Sequence, residues 1–283
     1  MKSLFRLLGI TSLVLVAIGA ASAYAAYPID WGIGMQQAAS PVKERMDEFH
    51  TLIMWIITGI VLLVSFLMVY IMIRFRAKAN PVPSKTSHNV MLEIIWTAIP
   101  VAILIVICIP SMKLLYYTDR GVETEMTVKV TGYQWYWGYD YPEHGDISYT
   151  AYMIPDEDID ESKGQKRLLS TDNQLVLPID TNILIQVTAA DVIHSYAVPA
   201  FGIKKDAVPG RLNETWVRIT EPGRYYGQCS EICGTGHAYM PSEIVAVSIE
   251  DFDAWAIAAQ EEFINFDEFQ IQRQQLANNE EVQ

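Results

Sequence analysis

The sequence predicts a membrane helical hairpin followed by an all-β sandwich or barrel domain. The chain has 283 residues, of which 51% are hydrophobic, a high share for a soluble protein. Two apolar runs, Thr51 to Ile73 and Val90 to Met112, are each long enough to span a bilayer. From Thr127 onward, short alternating segments are separated by Pro, Gly, Asn and Asp, which is typical of strands.

The N-terminal segment has the features of a secretory signal peptide. Basic residues near the start precede an apolar run over residues 7–20, and small residues follow it. These include Ala-x-Ala patterns that end at Ala23 and Ala25, so we expect cleavage after one of them. A third membrane helix is the alternative, which the short apolar run disfavours. The predicted signal peptide occupies residues 1–25.

The loop between the two apolar runs predicts the orientation of the hairpin. Residues 74–89 include four Lys or Arg and no acidic residue, and such loops stay on the cytoplasmic side of a membrane. Two spans then place the mature N-terminus and everything after Leu114 outside. We therefore expect an N-terminal segment and hairpin over residues 26–116 and an exported domain over residues 117–262. A buried hairpin in a soluble protein is the alternative.

The net charge changes sign at the same boundary. Residues 117–283 hold 28 acidic and 11 basic residues, a net charge of −17, whereas residues 1–116 have a net charge of +4. A strongly acidic domain repels nucleic acid and attracts a basic partner over long range. The sequence has no DNA-binding or phosphate-loop pattern, so we expect no nucleic-acid partner.

Alternation predicts the strands of the exported domain. The longest predicted segment is TVKVTGYQWYWGYDY, residues 127–141, in which alternation places Trp135 and Trp137 on the same face. Five further segments have the sequences QLVLPID, NILIQVTA, ETWVRIT, GRYYGQC and SEIVAVSI. Short strands at this spacing predict an antiparallel sandwich or barrel.

The remaining segments of the domain are polar or helical in pattern. Residues 156–166 are polar and predict an exposed loop. A helix is expected to begin at Ser248, with Asp251 forming a partial capping box and Phe252 and Trp255 facing inward. The polar tail, residues 263–283, is either a frayed helix or disordered.

Two of the three cysteines lie close together in the stretch CSEICGTGHAYM, from Cys229 to Met240. The third, Cys108, lies in the second apolar run and is expected to be structural. In an oxidising compartment, a disulfide between Cys229 and Cys233 is the default interpretation. The imidazole of His237 and the thioether of Met240 in the same stretch favour a metal site instead.

The donor types around these cysteines are those of a copper site. Mononuclear blue-copper sites use one Cys, two His and a weak axial Met, and His194 supplies a distant histidine at the end of a strand-like run. A second cysteine exceeds what one copper ion needs, but two thiolates could bridge two copper ions. Zinc is the competing metal, although it has no use for methionine. The donors for two copper ions would be His194, Cys229, the carbonyl of Glu231, Cys233, His237 and Met240.

Four motifs together resemble subunit II of cytochrome c oxidase, of the bacterial type close to the mitochondrial one. They are CSEICGTGHAYMP, DVIHSYAVP, GYQWYWGYDY and KKDAVPGRLN, within a similarity that covers residues 40–260. The resemblance implies a cupredoxin-like Greek-key fold for the exported domain and a dinuclear copper A centre. The copper ligands that it implies are the six donors named above.

The resemblance also implies roles for residues outside the copper loop. Electrons would enter through Trp135, the first tryptophan of the WYW motif. The Glu231 side chain would help to hold a magnesium ion at the contact with subunit I, and Glu93 would lie at the cytoplasmic mouth of a proton pathway. From the residues alone, Trp135 could be a core aromatic residue and each acid an ordinary surface residue. Docking of a basic cytochrome c is implied for Asp140, Glu143, Asp146 and Asp191, whereas one further family acid is replaced by Gly145.

These implications describe the subunit through which electrons enter a proton-pumping oxidase of the bacterial inner membrane. Electrons from cytochrome c would reach haem in subunit I, where oxygen is reduced to water. The implied partners are subunit I, other oxidase subunits, cytochrome c and the lipid bilayer. Alternatives are subunit II of a quinol oxidase, disfavoured by the complete ligand set, and a membrane-anchored copper carrier or chaperone. Nitrous oxide reductase has the same copper centre, but the hairpin disfavours it.

Overall fold

The chain forms two compact units, one over residues 42–121 and one that combines residues from 1–41 and 122–283. The predicted signal peptide lies outside the described part of the chain, apart from Tyr24 and Ala25. The computed structural model describes residues 24–29, 31, 32, 34–82, 84–119 and 122–281.

Two long helices, α1 (Pro41–Arg74) and α2 (Val90–Asp119), make up most of the first unit. Asn89 begins α2, because its side-chain oxygen accepts a hydrogen bond of 3.1 Å from the N–H of Leu92. Both helices contain the predicted apolar runs, and no side chain of their most apolar stretches is buried. Helices that are apolar on every side are typical of membrane spans. Both helices are longer than the predicted apolar runs. The polar and charged residues that flank these runs are helical as well.

The second unit is a β-sandwich of two sheets. One sheet contains β5 (Leu175–Pro178), β7 (His194–Val198), β8 (Ile203–Ala207), β10 (Gly223–Cys229) and β11 (Pro241–Val247). Its strand order is β5-β11-β10-β7-β8, and it carries most of the predicted metal site. A short strand near the N-terminus, β1 (Tyr24–Ala26), runs parallel to β10 along part of its length.

The opposing sheet contains β2 (Met126–Tyr133), β3 (Tyr136–Tyr141), β4 (Ile147–Ala151), β6 (Ile183–Ala189) and β9 (Asn213–Val217). Its strand order is β4-β3-β2-β6-β9. Alternation sets its register, because every second residue of β6 is buried from Ile183 to Ala189 and the residues between are half-exposed. Val128 and Val130 of β2 are fully buried in the same core. The predicted all-β domain is therefore confirmed, but the sheets are not purely antiparallel as predicted, because β2 pairs with β6 and β5 pairs with β11 in parallel.

Three details of the strand positions are wrong. The segment over residues 127–141 is a hairpin of β2 and β3, and Gln134 and Trp135 form its turn. His194 begins β7 rather than ending a strand. The strand β8, missed from the sequence, contains IKKDA, in which only the two end residues are buried, so its polar centre hides the strand pattern.

Two helices follow the last strand and cover one part of the core. In α3 (Ile249–Glu261), the Ser248 hydroxyl accepts a hydrogen bond of 3.1 Å from the N–H of Asp251, which confirms the predicted cap. Phe252 and Trp255 are buried, as predicted. The tail forms a second helix, α4 (Phe266–Glu281), rather than a disordered segment.

Ion pairs and one aromatic side chain attach α4 to the β-sandwich and to α3. Arg224 of β10 pairs with Asp267, and Arg273 pairs with Asp251 of α3. Phe266 is only 6% exposed and belongs to the main hydrophobic core. The N-terminal half of α4 is therefore part of the folded domain.

Replacing Phe266 by alanine is expected to destabilise the domain by about 3 kcal/mol, because a buried aromatic ring is lost from the core. Urea unfolding of the full chain in detergent, followed by tryptophan fluorescence, measures the change. Leu276→Ala is the matched control on the same helix, since Leu276 is 65% exposed. Its effect should stay within about 0.5 kcal/mol. Equal effects of the two variants would show that α4 does not stabilise the core.

Candidate metal centre

The CSEICGTGHAYM loop connects β10 to β11 and is held against β7. Cys229 is the last residue of β10, and Met240 immediately precedes β11. β7 and β10 are paired, and Cys229 lies opposite Tyr196, two residues from His194. The N–H of Ser230 donates to the carbonyl of Ser195 over 2.9 Å, which continues this pairing into the loop. Sheet pairing therefore brings the distant histidine next to the cysteines.

The side-chain donors of the loop converge around the two sulfur atoms. The Sγ atoms of Cys229 and Cys233 lie 3.9 Å apart. The Nδ1 of His194 lies 3.9 Å from the Cys229 Sγ, and the Nδ1 of His237 lies 3.6 Å from the Cys233 Sγ. The Met240 Sδ lies 3.6 Å from the Cys233 Sγ. Each sulfur therefore has an imidazole nitrogen of its own.

A backbone carbonyl completes the same cluster on the side of Cys229. The Glu231 carbonyl oxygen lies 3.3 Å from the Cys229 Sγ. It is a second weak donor, on the side of Cys229, as the Met240 thioether is on the side of Cys233. The Glu231 side chain is exposed, as is that of the neighbouring Ile232. The loop thus turns a carbonyl inward and directs its carboxylate outward.

Both cysteines are free in this structure, so the default disulfide interpretation is not what the fold adopts. His194 is fully buried, and Cys229, Cys233 and Met240 are at most 7% exposed. Soft sulfur donors and imidazoles, gathered in a largely buried cluster, suit copper or another thiophilic metal. The set of residues present therefore fits a metal site.

The two thiols differ in acidity because they share one small volume. Burial by itself raises the pKa of the Cys229 thiol, but His194 and the backbone of Glu231 lower it to about 6. Burial and a negative charge on Cys229 together raise the pKa of the Cys233 thiol to about 12. Before metal binding, the pair therefore resists losing its second proton. A cation bridging both sulfur atoms would remove the repulsion between two thiolates.

Asp191 links His194 to the turn between β2 and β3. Its Oδ1 lies 2.9 Å from the His194 Nε2, and its Oδ2 accepts a hydrogen bond of 2.7 Å from the N–H of Gln134. Burial alone would raise the pKa of the Asp191 carboxyl, but these partners and the N–H of Val192 lower it. An ionised Asp191 holds the proton of His194 on Nε2, which leaves Nδ1 free to bind a metal.

Two family models together match most of the chain. A family model described as cytochrome c oxidase subunit II, periplasmic domain, matches residues 126–248, and one described as its transmembrane domain matches residues 28–114. The probable cytochrome c oxidase subunit 2 of Rickettsia bellii is 47% identical over 255 residues, covering 90% of this chain and 92% of that protein. The chain belongs to the cytochrome c oxidase subunit II family.

A mitochondrial-type relative gives the same result. Cytochrome c oxidase subunit 2 of Chondrus crispus is 43% identical over 231 residues, covering 80% of this chain and 90% of that protein. The periplasmic domain of subunit II of cytochrome oxidase from Bradyrhizobium japonicum is 45% identical, covers 50% of this chain and 99% of its own, and gives a TM-score of 0.47.

Membership of this family confirms the resemblance seen in the motifs. As a subunit of cytochrome c oxidase, the chain is part of an oxidoreductase, and α1 and α2 belong to its transmembrane domain. The predicted fold class, a helical hairpin with a β-sandwich, is confirmed as well. The α4 helix lies beyond both family matches.

In this oxidase subunit, Trp135 occupies a turn rather than the core strand that alternation predicts. The ring packs on the metal loop, because a Cβ added at Gly236 would lie 2.5 Å from its Cγ and 2.8 Å from its Cε3. The side-chain amide of Gln134 donates to the carbonyl of Cys233 over 2.8 Å. The turn is thus fastened to the loop at both of its residues. Gln134 was missed from the sequence, which holds no local signal for it.

The structure does not bring the four predicted docking acids together. Asp191 bonds to His194, whereas Asp140, Glu143 and Asp146 lie on β3 or the hairpin after it, toward the end remote from Trp135. Asp140 pairs with Lys129 at 3.2 Å, and Glu143 accepts from the N–H of Thr127 at 2.7 Å. Part of the charge predicted for docking is therefore engaged within the domain.

Gly145 and Glu93, the two remaining positions singled out in the sequence, both lie away from the metal loop. Gly145 has φ +69°, a conformation that favours glycine, and a Cβ there would lie 2.6 Å from the Cδ of the flexible Gln260 side chain. Glu93 lies in the first turn of α2, and its carbonyl accepts from the Thr97 hydroxyl at 2.9 Å. It belongs to the helical unit and not to the metal cluster.

Proposed function

We propose that this chain holds a dinuclear copper centre and is the subunit through which electrons from cytochrome c enter the oxidase. One observation carries the proposal: two thiol sulfurs 3.9 Å apart each face a different imidazole. A single copper ion would leave one cysteine and its imidazole without a metal to bind. When bound, the copper pair would take up and release one electron at a time.

The weak donors support two ions rather than zinc. Zinc usually takes four strong ligands, which would leave the Met240 thioether and the Glu231 carbonyl without a role. Both of these groups face the cysteines, one on each side of the pair. The proposed ligands are His194, Cys229, the carbonyl of Glu231, Cys233, His237 and Met240.

The surrounding chain holds these donors in place. The indole Nε1 of Trp137 donates to the carbonyl of Met240 over 3.0 Å, and the Trp137 ring meets the His194 ring edge-on. Gln134 restrains the carbonyl of Cys233. Fixed donors in a dry shell change little between redox states, so the reorganisation that accompanies electron transfer is small.

Electrons would enter through Trp135, because its ring lies directly on the metal loop and is only partly buried. A basic cytochrome c would be attracted by the net charge of −17 over residues 117–283. Asp140, Glu143 and Asp146 would contribute to this attraction. Asp191 would contribute as well, but its hydrogen bonds assign it mainly to His194.

Electrons would leave toward haem in subunit I, at a contact that includes the exposed carboxylate of Glu231. That carboxylate would help to hold a magnesium ion shared with subunit I. Glu93 would lie at the cytoplasmic mouth of a proton pathway of subunit I. The basic, acid-free loop over residues 74–89 supports placement in a bacterial inner membrane with the β-sandwich in the periplasm.

The proposal is tested by mixing the purified oxidase with reduced cytochrome c in a stopped-flow instrument. We expect the optical band of the copper centre to change before haem in subunit I is reduced. The rate should fall steeply as ionic strength rises, since the charges that steer association are screened. A copper carrier or chaperone would instead release copper to a chelator and take up no electrons from the cytochrome.

Replacing Asp191 by asparagine is expected to weaken copper retention by about 10–100-fold, the usual effect of removing a partner from a metal-binding histidine. The reduction potential should rise, because a negative charge next to the centre is lost. Chelator competition and a redox titration measure the two effects.

Asp146→Asn is the matched control for this prediction. Both acids are predicted to dock the cytochrome, but Asp146 lies on the hairpin after β3, away from the metal loop. The control should change only the association with cytochrome c at low salt. If Asp191→Asn behaves in the same way, Asp191 is a docking residue and does not position His194.

A further inference from the structure

A pocket between α1 and α2 lies where the apolar stretches of both helices end. It has a volume of about 270 Å³ and is lined by residues of both helices. On α1 it begins before Thr51, the first residue of the apolar run, and on α2 it reaches Lys113, just after Met112. Since the helices run in opposite directions in sequence, these positions share one end of the hairpin. The family places this hairpin in a membrane, so the pocket lies at the level of the lipid headgroups.

Three charged side chains line this pocket: Arg45, Glu48 and Lys113. Within the described part of the chain, none of them forms an ion pair with another side chain. All three side chains are exposed, so they are available to charged groups from outside the chain.

The geometry of Arg45 suits a phosphate. Its guanidinium carbon lies 3.5 Å above the centre of the Tyr117 ring. Stacking fixes the plane of the guanidinium and leaves its N–H edge free, the arrangement that binds two phosphate oxygens side by side. Lys113 adds a second positive charge from the other helix.

The remaining walls of the pocket are apolar, and they suit the part of a lipid just below its phosphate. They consist of the half-buried residues Phe49, Leu52, Pro110 and Leu114. The carboxylate of Glu48 would repel a purely anionic headgroup but attract an ammonium group. One turn of α1 separates it from Arg45, so both could contact neighbouring groups of one headgroup.

We propose that this pocket binds one zwitterionic aminophospholipid, with its phosphate at Arg45 and Lys113 and its ammonium group at Glu48. The site is independent of the metal centre and of the proposed electron transfer.

The test uses the complete oxidase, equilibrated with vesicles of equal parts phosphatidylethanolamine and phosphatidylglycerol and examined by native mass spectrometry. We expect the wild-type complex to retain one phosphatidylethanolamine at this site. The double variant Arg45→Gln and Lys113→Gln should retain it about tenfold less, because charge-assisted hydrogen bonds to the phosphate are lost. Glu48→Gln should keep a lipid but lose the preference for phosphatidylethanolamine.

The matched control neutralises two basic residues in the loop at the other end of the hairpin, Arg76→Gln with Lys85→Gln. It should retain the lipid as the wild type does. Equal retention by the Arg45 and Lys113 variant, or equal loss in the control, would overturn the proposed site. An unchanged lipid preference in Glu48→Gln would overturn the assignment of the ammonium group.

Discussion

Replacing Cys233 by serine is expected to abolish the dinuclear centre. The Cys233 Sγ is the atom that faces Cys229, His237 and Met240, and a hydroxyl is too hard and too weakly acidic to bridge two copper ions. Copper content should fall from two ions to at most one per chain. Losing a hydrogen-bond partner of a metal ligand lowers activity by roughly 10–100-fold. Losing the ligand itself should lower the rate of cytochrome c oxidation by more than that.

Metal analysis and steady-state oxidation of cytochrome c by the purified oxidase measure these effects. Cys108→Ser is the matched control, because Cys108 lies in α2 and apart from the metal loop. The control should keep both copper ions and full turnover. Retention of two copper ions by Cys233→Ser would show that this thiol does not bridge them.

Replacing Gly236 by alanine is expected to displace Trp135 while leaving the metal donors in place. Gly236 has an ordinary backbone conformation, with φ −90°, so alanine adds no backbone strain. The added Cβ would lie 2.5 Å from the Cγ of Trp135, which forces the ring away from the loop. Electron uptake from cytochrome c should slow by about a hundredfold, the scale of loss for a misplaced reaction partner.

Stopped-flow mixing measures this uptake, and copper analysis checks that the centre is intact. Gly210→Ala is the stringent control, since a Cβ at Gly210 meets no atom within 4 Å but must adopt φ +75°. This variant introduces backbone strain but no steric clash with another residue. Electron uptake should therefore stay unchanged. Uptake at the wild-type rate in Gly236→Ala would contradict the contact between Trp135 and the loop as the route of electrons.

Local patterns predicted much of the fold. The alternation of β6, buried at every second residue from Ile183 to Ala189, follows directly from its sequence. The cap at Ser248 was equally visible, because a hydroxyl three residues before an acid is a local signal. The loop from Cys229 to Met240 showed its donors in one stretch of sequence, and the motif around His194 supplied the distant one.

Tertiary contacts decided what the sequence did not reveal. The turn at Gln134 and Trp135 lacks the Gly, Asn or Pro that usually marks a turn. It is held instead by Asp191 and by the carbonyl of Cys233, both distant in sequence. The sequence around Asp191 is that of a surface acid, because its hydrogen bond to His194 depends on the fold. The pocket at Arg45 and Lys113 likewise depends on two helices being side by side.

Electron paramagnetic resonance of the copper-loaded full chain, combined with a copper-to-protein ratio, tests the dinuclear centre most directly. We predict two copper ions per chain and one unpaired electron coupled equally to both copper nuclei. Hyperfine coupling to a single copper nucleus at one ion per chain, or a copper-free chain with a disulfide between Cys229 and Cys233, would contradict it.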